Sequence, residues 1–143
     1  MGVMLATVER AAHLIGAYVE QAATELGVTQ AEAHVLAQLA GRGPTPIGTL
    51  HHDFGRKRST LTNILDRLEQ RRLVRRELNR DDRRSFVIHL TTSGEQAARR
   101  VTTVLDALER EVATAVTDRD LRGLDAVAQA LTTAVHRVGL KGA

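Results

Sequence analysis

The 143-residue chain has no cysteine, no tryptophan, two prolines and three aromatic side chains, Tyr18, Phe54 and Phe86. Without cysteine it has no disulfide, no thiolate nucleophile and no thiol redox switch. With so few rings, its core must be assembled from Leu, Val, Ile and Ala, a set that suits helices packed side by side. No stretch approaches the apolar run of about 20 residues that crosses a bilayer. The first residues, MGVMLATVERAAHLIG, mix an acid and a base into a helical pattern and lack the layout of a signal peptide, so a cytoplasmic protein is expected. Catalytic spacing is also missing: no glycine-rich phosphate cradle follows a strand, and no His and carboxylate pairs stand at working distance. The chain does not read as an enzyme, and no cofactor or metal site is expected. His51 and His52 are neighbours on one short helix, where side chains diverge by about 100 degrees and do not grip one ion together.

What the chain does have is basic charge in one place. Gly41 to Leu90 carry 12 Lys+Arg against 6 Asp+Glu, while the rest carries 8 against 11, together giving the net +3 of the whole. A basic third within an otherwise acidic chain is the pattern that phosphate binding requires, because each neutralised phosphate releases condensed counterions. Arg56–Leu90 reads RKRSTLTNILDRLEQRRLVRRELNRDDRRSFVIHL: an amphipathic helix, a short strand, an arginine-rich turn and a second strand. That order is a winged helix. In the helix, Leu61, Ile64, Leu65 and Leu68 recur at helical spacing and leave Ser59, Thr60, Thr62, Asn63 and Arg67 over the remaining surface. Their hydroxyl, amide and guanidinium groups are those that bond to base edges and phosphates in a major groove.

The flanks read as helices. Leu5, Val8, Ala12, Ile15, Val19 and Leu26 mark one helix that Gly27 stops. Thr29-Gln30-Ala31-Glu32 has the form of a capping box opening a helix to roughly Leu39. Gly41, Gly43, Pro44 and Pro46 form the clearest break, followed by a short helix from Ile47 to about Phe54. Strands are expected at Leu73 to Leu78 and Ser85 to Leu90, with Asn79 to Arg84 as the turn between them. Thr92 to Glu95 reads as a second capping box and Thr117 to Asp120 as a weaker third. The last helix places Leu121, Leu124, Ala128, Leu131, Val135 and Val138 on one stripe. Stripes on the first and last helices leave two solutions: they cover each other in a self-contained bundle, or they pair two chains about a two-fold axis. The second divides the chain into dimerisation helices, 1–28 and 92–143, and a winged helix-turn-helix lobe, 29–91. It also spaces two reading helices for half-sites about 10 base pairs apart or a multiple of that.

The segments LGVTQAEAHVLAQL, PIGTLHHDFGRKRSTLTNILDRLEQRRLVRR and DDRRSFVIHLTTSGEQ together resemble the MarR family of transcription regulators, specifically from Leu26 to Glu95 and generically beyond. The resemblance implies a mainly α homodimer with a β-hairpin wing. It would sit on a palindromic promoter site as a repressor and be released by a small anionic or phenolic effector. It puts Ser59, Thr60, Thr62, Asn63 and Arg67 on the recognition helix, with Arg56, Lys57 and Arg58 at its entrance. Asp82, Arg83 and Arg84 fall in the wing, and Arg84 is assigned to the minor groove, whose narrow form draws in a guanidinium. Asp82 either holds Arg84 by a charged bond or caps the hairpin, a job open to Asp81 as well. The sequence departs from the family at Arg72, where glycine is frequent. Arg72 must take a left-handed backbone or shift the helix end, and it can touch phosphate. At Lys57 a capping residue is usual, so the helix start has to use another group. His13 and Tyr18 on the first helix either line an effector pocket or lie on a helix surface. The other function class compatible with a winged helix is a protein-interaction or RNA-binding module.

Overall fold

The structure is a computed structural model describing residues 2–55 and 57–139; Arg56 lies outside the described residues. Its elements run α1 (Val3–Leu26), α2 (Gln30–Arg42), β1 (Thr45–Pro46), α3 (Ile47–Phe54), α4 (Arg58–Gln70), β2 (Val74–Leu78), β3 (Phe86–Leu90), α5 (Thr92–Ala113) and α6 (Asp118–Val138). This is a winged helix: mainly helical, with a small antiparallel sheet of strand order β1-β3-β2. Two compact units result, residues 1–105 and residues 106–143.

In the first unit, chain reversals are fixed by local chemistry. Gly27 closes α1 at φ 69°, its N–H reaching the carbonyls of Ala23 and Thr24, while Val28 N–H bonds to Ala23 O at 2.9 Å. Only a residue without Cβ takes that left-handed turn cheaply. Two residues on, Thr29 Oγ1 accepts the Glu32 N–H and Glu32 Oε2 accepts the Thr29 N–H, each at 3.1 Å, so both partners of the capping box are in place. The helix runs past Gly41 to Arg42, and the break comes at Gly43. There Thr45 and Pro46 add a third strand that the sequence pattern did not indicate, Thr45 facing Ile88 and Pro46 facing Val87. Proline has no N–H to donate, so it fits this short edge strand. Strands β2 and β3 pair from Val74–Leu90 to Leu78–Phe86.

The core is aliphatic. Leu36, Leu39, Leu50, Leu61, Ile64, Leu65, Leu68 and Ile88 are fully or almost fully buried. Each such side chain contributes roughly 1.5–3 kcal/mol by leaving water. Of the three aromatics, Phe54 packs against this core, whereas Tyr18 and Phe86 are exposed. Val19 and Ala23 of α1 and Ala97, Ala98 and Val101 of α5 belong to the same cluster. The compact unit therefore extends beyond 29–91, because both flanking helices supply core side chains to it.

Helix α5 does not start on the Thr92–Glu95 box. Thr91 Oγ1 accepts the Gly94 N–H at 3.0 Å and donates to the Arg72 carbonyl at 2.6 Å, while Glu95 stands 3.9 Å from Arg99. The reason is contact with the hairpin: Gly94 presses on Leu73, and a Cβ at 94 would lie 1.8 Å from the Leu73 carbonyl oxygen.

In the second unit, α6 opens on a complete capping box, Thr117 with Asp120. The Thr117 backbone N–H, and after it the Thr117 hydroxyl, donate to Asp120 Oδ2 at 2.9 Å each and hold the Asp120 carboxyl below its ordinary pKa. No residue of α6 is buried among those described, and Leu124 is 63% exposed.

Gly94→Ala should be strongly destabilising, since the atom it meets is backbone and cannot swing aside. A loss of about 3 kcal/mol or more is expected, read from thermal or urea unfolding followed by circular dichroism. A melting curve like that of the natural chain would contradict the close approach.

Candidate nucleic-acid interface

Helix α4 turns Leu61, Ile64, Leu65 and Leu68 inward and leaves Ser59, Thr62 and Asn63 exposed, with Thr60 half-buried. Its N-cap is Lys57, which makes no side-chain capping bond. No side chain among the described residues caps the first backbone N–H groups of α4, which add a partial positive charge to Lys57 and Arg58, both exposed. Just before it, α3 is fastened to α2 by Asp53, which bonds to Arg42 at 3.0 Å and Gln38 at 3.1 Å. His51 on α3 has a buried Nδ1 with no hydrogen-bond partner. Burial, and then the nearby Arg58 charge, push its pKa below the ordinary histidine value.

Several arginines of the basic segment are occupied inside the fold. Arg76 on β2 reaches back to α4, pairing with Asp66 and lying 3.5 Å from Glu69. Arg75 and His89 both meet Glu77, at 3.2 and 2.9 Å. Arg71 donates to the Leu26 carbonyl at 3.1 Å, satisfying the C-terminal end of α1 with a cation as the helix dipole favours. Arg67 is exposed on α4, yet its Nε lies 2.9 Å from Oε1 of Glu32, a residue only 3% exposed. Its partner lies 35 positions earlier in the chain, and no local pattern links the two.

Arg72 adopts φ 58°, the only positive φ among described non-glycine residues. The helix end stays put, and the residue in the glycine place takes the left-handed backbone. Its carbonyl is held by Thr91.

The turn from Asn79 to Ser85 is organised by side chains. Asn79 Oδ1 accepts the Asp81 N–H at 3.1 Å and Asp82 Oδ1 accepts the Arg84 N–H at 3.0 Å. Asp82 thus grips the backbone of Arg84. The ion pairs among the described residues include none between Asp82 and the Arg84 guanidinium; of the two alternatives for Asp82, the bond seen is the one that caps the hairpin backbone. Arg80, Arg83 and Arg84 are exposed.

These pairings partition the charge. Of the six acids between Gly41 and Leu90, Asp53, Asp66, Glu69 and Glu77 are committed to arginines or histidine within the fold. Lys57, Arg58, Arg72, Arg80, Arg83 and Arg84 have no ion pair among the described residues. They cluster at the start of α4, its end and the wing turn, a distribution that can meet a polyanion.

His13 and Tyr18 are exposed on α1 and line neither of two clefts in the first unit. The larger, about 440 Å³, has apolar walls from Leu39, Pro44 and Leu90 and polar groups from Arg75, His89, Glu95 and Arg99. The smaller, about 290 Å³, lies around Leu26, Leu73 and Arg100.

Comparison with known proteins finds similarity to transcription regulators. The sequence profile of the MarR family matches residues 28–86. The HTH-type transcriptional repressor MdtR of Bacillus subtilis (strain 168) is 38% identical over 69 residues, which span 48% of this chain and 44% of that protein. The match thus spans less than half the length of that relative. Among solved structures, S. aureus MepR in its DNA-binding conformation superposes with TM-score 0.83 at 19% identity, covering 94% of this chain and 99% of that one. The MarR regulator of Oenococcus oeni PSU-1 gives 0.81 at 16%, covering 91% and 98%. The MepR–DNA complex gives 0.75 at 20%, covering 94% and 100%. At these identities the structures establish the shared fold.

The strain at Arg72 is measurable. Arg72→Gly should be more stable than Arg72→Ala by about 1 kcal/mol, since both remove the guanidinium and only glycine relieves the left-handed backbone. Equal urea midpoints for the two variants would contradict it.

Proposed function

We propose that the chain, whose residues 28–86 match the MarR family profile, is a regulator of transcription of that family that binds double-stranded DNA sequence-specifically. The observation that carries this reading is the partition of charge: unpaired bases stand at the start of α4 and on the wing, beside the exposed hydrogen-bonding groups of Ser59, Thr62 and Asn63. In this reading α4 enters the major groove, where Asn63 specifies bases, and Lys57 and Arg58 position the backbone. Arg84 enters the flanking minor groove, with its backbone fixed by Asp82. Arg72 and Arg83 add phosphate contacts.

The chain acts as a homodimer on a palindromic promoter site. Support comes from apolar side chains left open at both ends: Val3, Met4, Leu14 and Ile15 on α1, and Leu121, Leu124 and Val138 on α6. Surfaces of that character call for a partner, and a second copy supplies a matching one. The terminal helices would then be the dimerisation region and the winged lobe the reading head. DNA occupancy blocks transcription and is relieved by a small organic anion. The cleft of about 440 Å³ has apolar walls for the body of such a ligand, whose anionic group would compete with Glu77 and Glu95 for Arg75, His89 and Arg99. The described residues contain no helix long and apolar enough to cross a membrane, and a regulator of this kind works in the cytoplasm.

Fluorescence anisotropy with a duplex from immediately upstream of its own coding sequence, at roughly 50 and 200 mM salt, tests the reading. Affinity should fall steeply with salt and exceed that for a scrambled duplex. Arg84→Ala should weaken binding and lower the slope of log K against log salt by about 1. Asn63→Ala should narrow the gap between the two duplexes. Weak, salt-insensitive binding to both would instead favour a protein-interaction or RNA-binding module.

A further inference from the structure

Arg67 and Glu32 form an arrangement that neither the helix surface nor the core alone explains. Ser59, Asn63 and Arg67 follow one another at four-residue spacing, so Arg67 continues the exposed stripe of α4 by one turn beyond Asn63. Its side chain is 55% exposed, yet its Nε lies 2.9 Å from a buried carboxylate. That carboxylate is fully employed: Glu32 Oε1 faces Arg67 and Oε2 accepts the Thr29 N–H at 3.1 Å. Glu32 is therefore fixed by its own helix start and can serve as a rigid support. A guanidinium has five N–H donors in one plane. Holding it by Nε sets the plane and leaves its two terminal amino groups, which have no partner among the described residues, to form a two-pronged donor.

We propose that Glu32 is a positioning residue for nucleic-acid binding. It holds Arg67 by Nε so that the terminal amino groups grasp one backbone phosphate beside the groove entered by α4. This rests on the DNA-binding reading above and adds a residue from outside the interface to it. Glu32 belongs to α2 and is nearly inaccessible, so it acts only through Arg67. A plain structural tie between α2 and α4 would affect folding but not the count of neutralised phosphates.

The test uses the full chain, the upstream duplex and the scrambled duplex, with variants Arg67→Ala and Glu32→Gln. Arg67→Ala should weaken both duplexes alike and lower the salt slope by about 1, the loss of one phosphate contact. Glu32→Gln is the sharper probe, because its amide oxygen can still accept the Thr29 N–H. Removing a negative charge would by itself tighten binding to a polyanion. Loss of the support predicts the opposite, a weakening of roughly tenfold, the scale of one charged hydrogen bond, with the salt slope retained because Arg67 keeps its charge. Unchanged or tighter binding by Glu32→Gln, or an unchanged slope for Arg67→Ala, overturns the proposal. If the natural chain ignores both duplexes, the DNA-binding reading itself fails, and the two failures are thereby distinct.

Discussion

One guanidinium, that of Arg76, couples the strand entering the wing to the rear half of α4. It pairs with Asp66 and lies beside Glu69 on successive turns of the helix, so the hairpin cannot swing without breaking its hold on α4. On its other side, α4 is tied by Arg67 to Glu32 of α2. Asp66 and Arg67 are adjacent in sequence and pull in different directions, fixing the rotation of the helix about its axis. Partly exposed ion pairs contribute little to stability, about 0–1 kcal/mol each. The leucines and isoleucine beneath α4 supply the adhesion, and the charges select which orientation that adhesion settles on.

The same pairings determine what remains outside. Had the acids of the basic segment been spread among its exposed arginines, the surface would be neutral. Instead most are drawn against cations within the fold, and in the wing the Asp82 carboxylate accepts the Arg84 backbone N–H. The exposed bases are left concentrated at the two ends of α4 and at the wing turn. A modest net charge of +3 for the whole chain thus hides a strongly polarised lobe, and this polarisation underlies the proposed grip on duplex DNA.

Much of this was legible in the residues. Leu61, Ile64, Leu65 and Leu68 announce α4 because helical period and burial coincide. Gly27 and the Thr29–Glu32 box mark ends through chemistry confined to a few neighbours. The left-handed turn at Arg72 was one of two alternatives its departure from the family implied. What escaped depended on distant contacts. Strand β1 exists only because β3 offers it an edge. The cap of α5 moved to Thr91 because Gly94 must pass close to Leu73, and nothing in the TTSGE run records that neighbour. Arg67 and Arg71 find partners on α2 and α1, which only the tertiary fold brings near.

The central claim is that helix and hairpin form one reading body, locked by Arg76. Hydroxyl-radical footprinting of the complex with the upstream duplex tests it most directly. The account predicts, in each half-site, a protected backbone stretch flanking a major groove together with a protected minor-groove edge at a constant offset, both weakened together in Arg76→Met. Protection confined to the major groove, or a minor-groove footprint that persists while the rest fades, would contradict it.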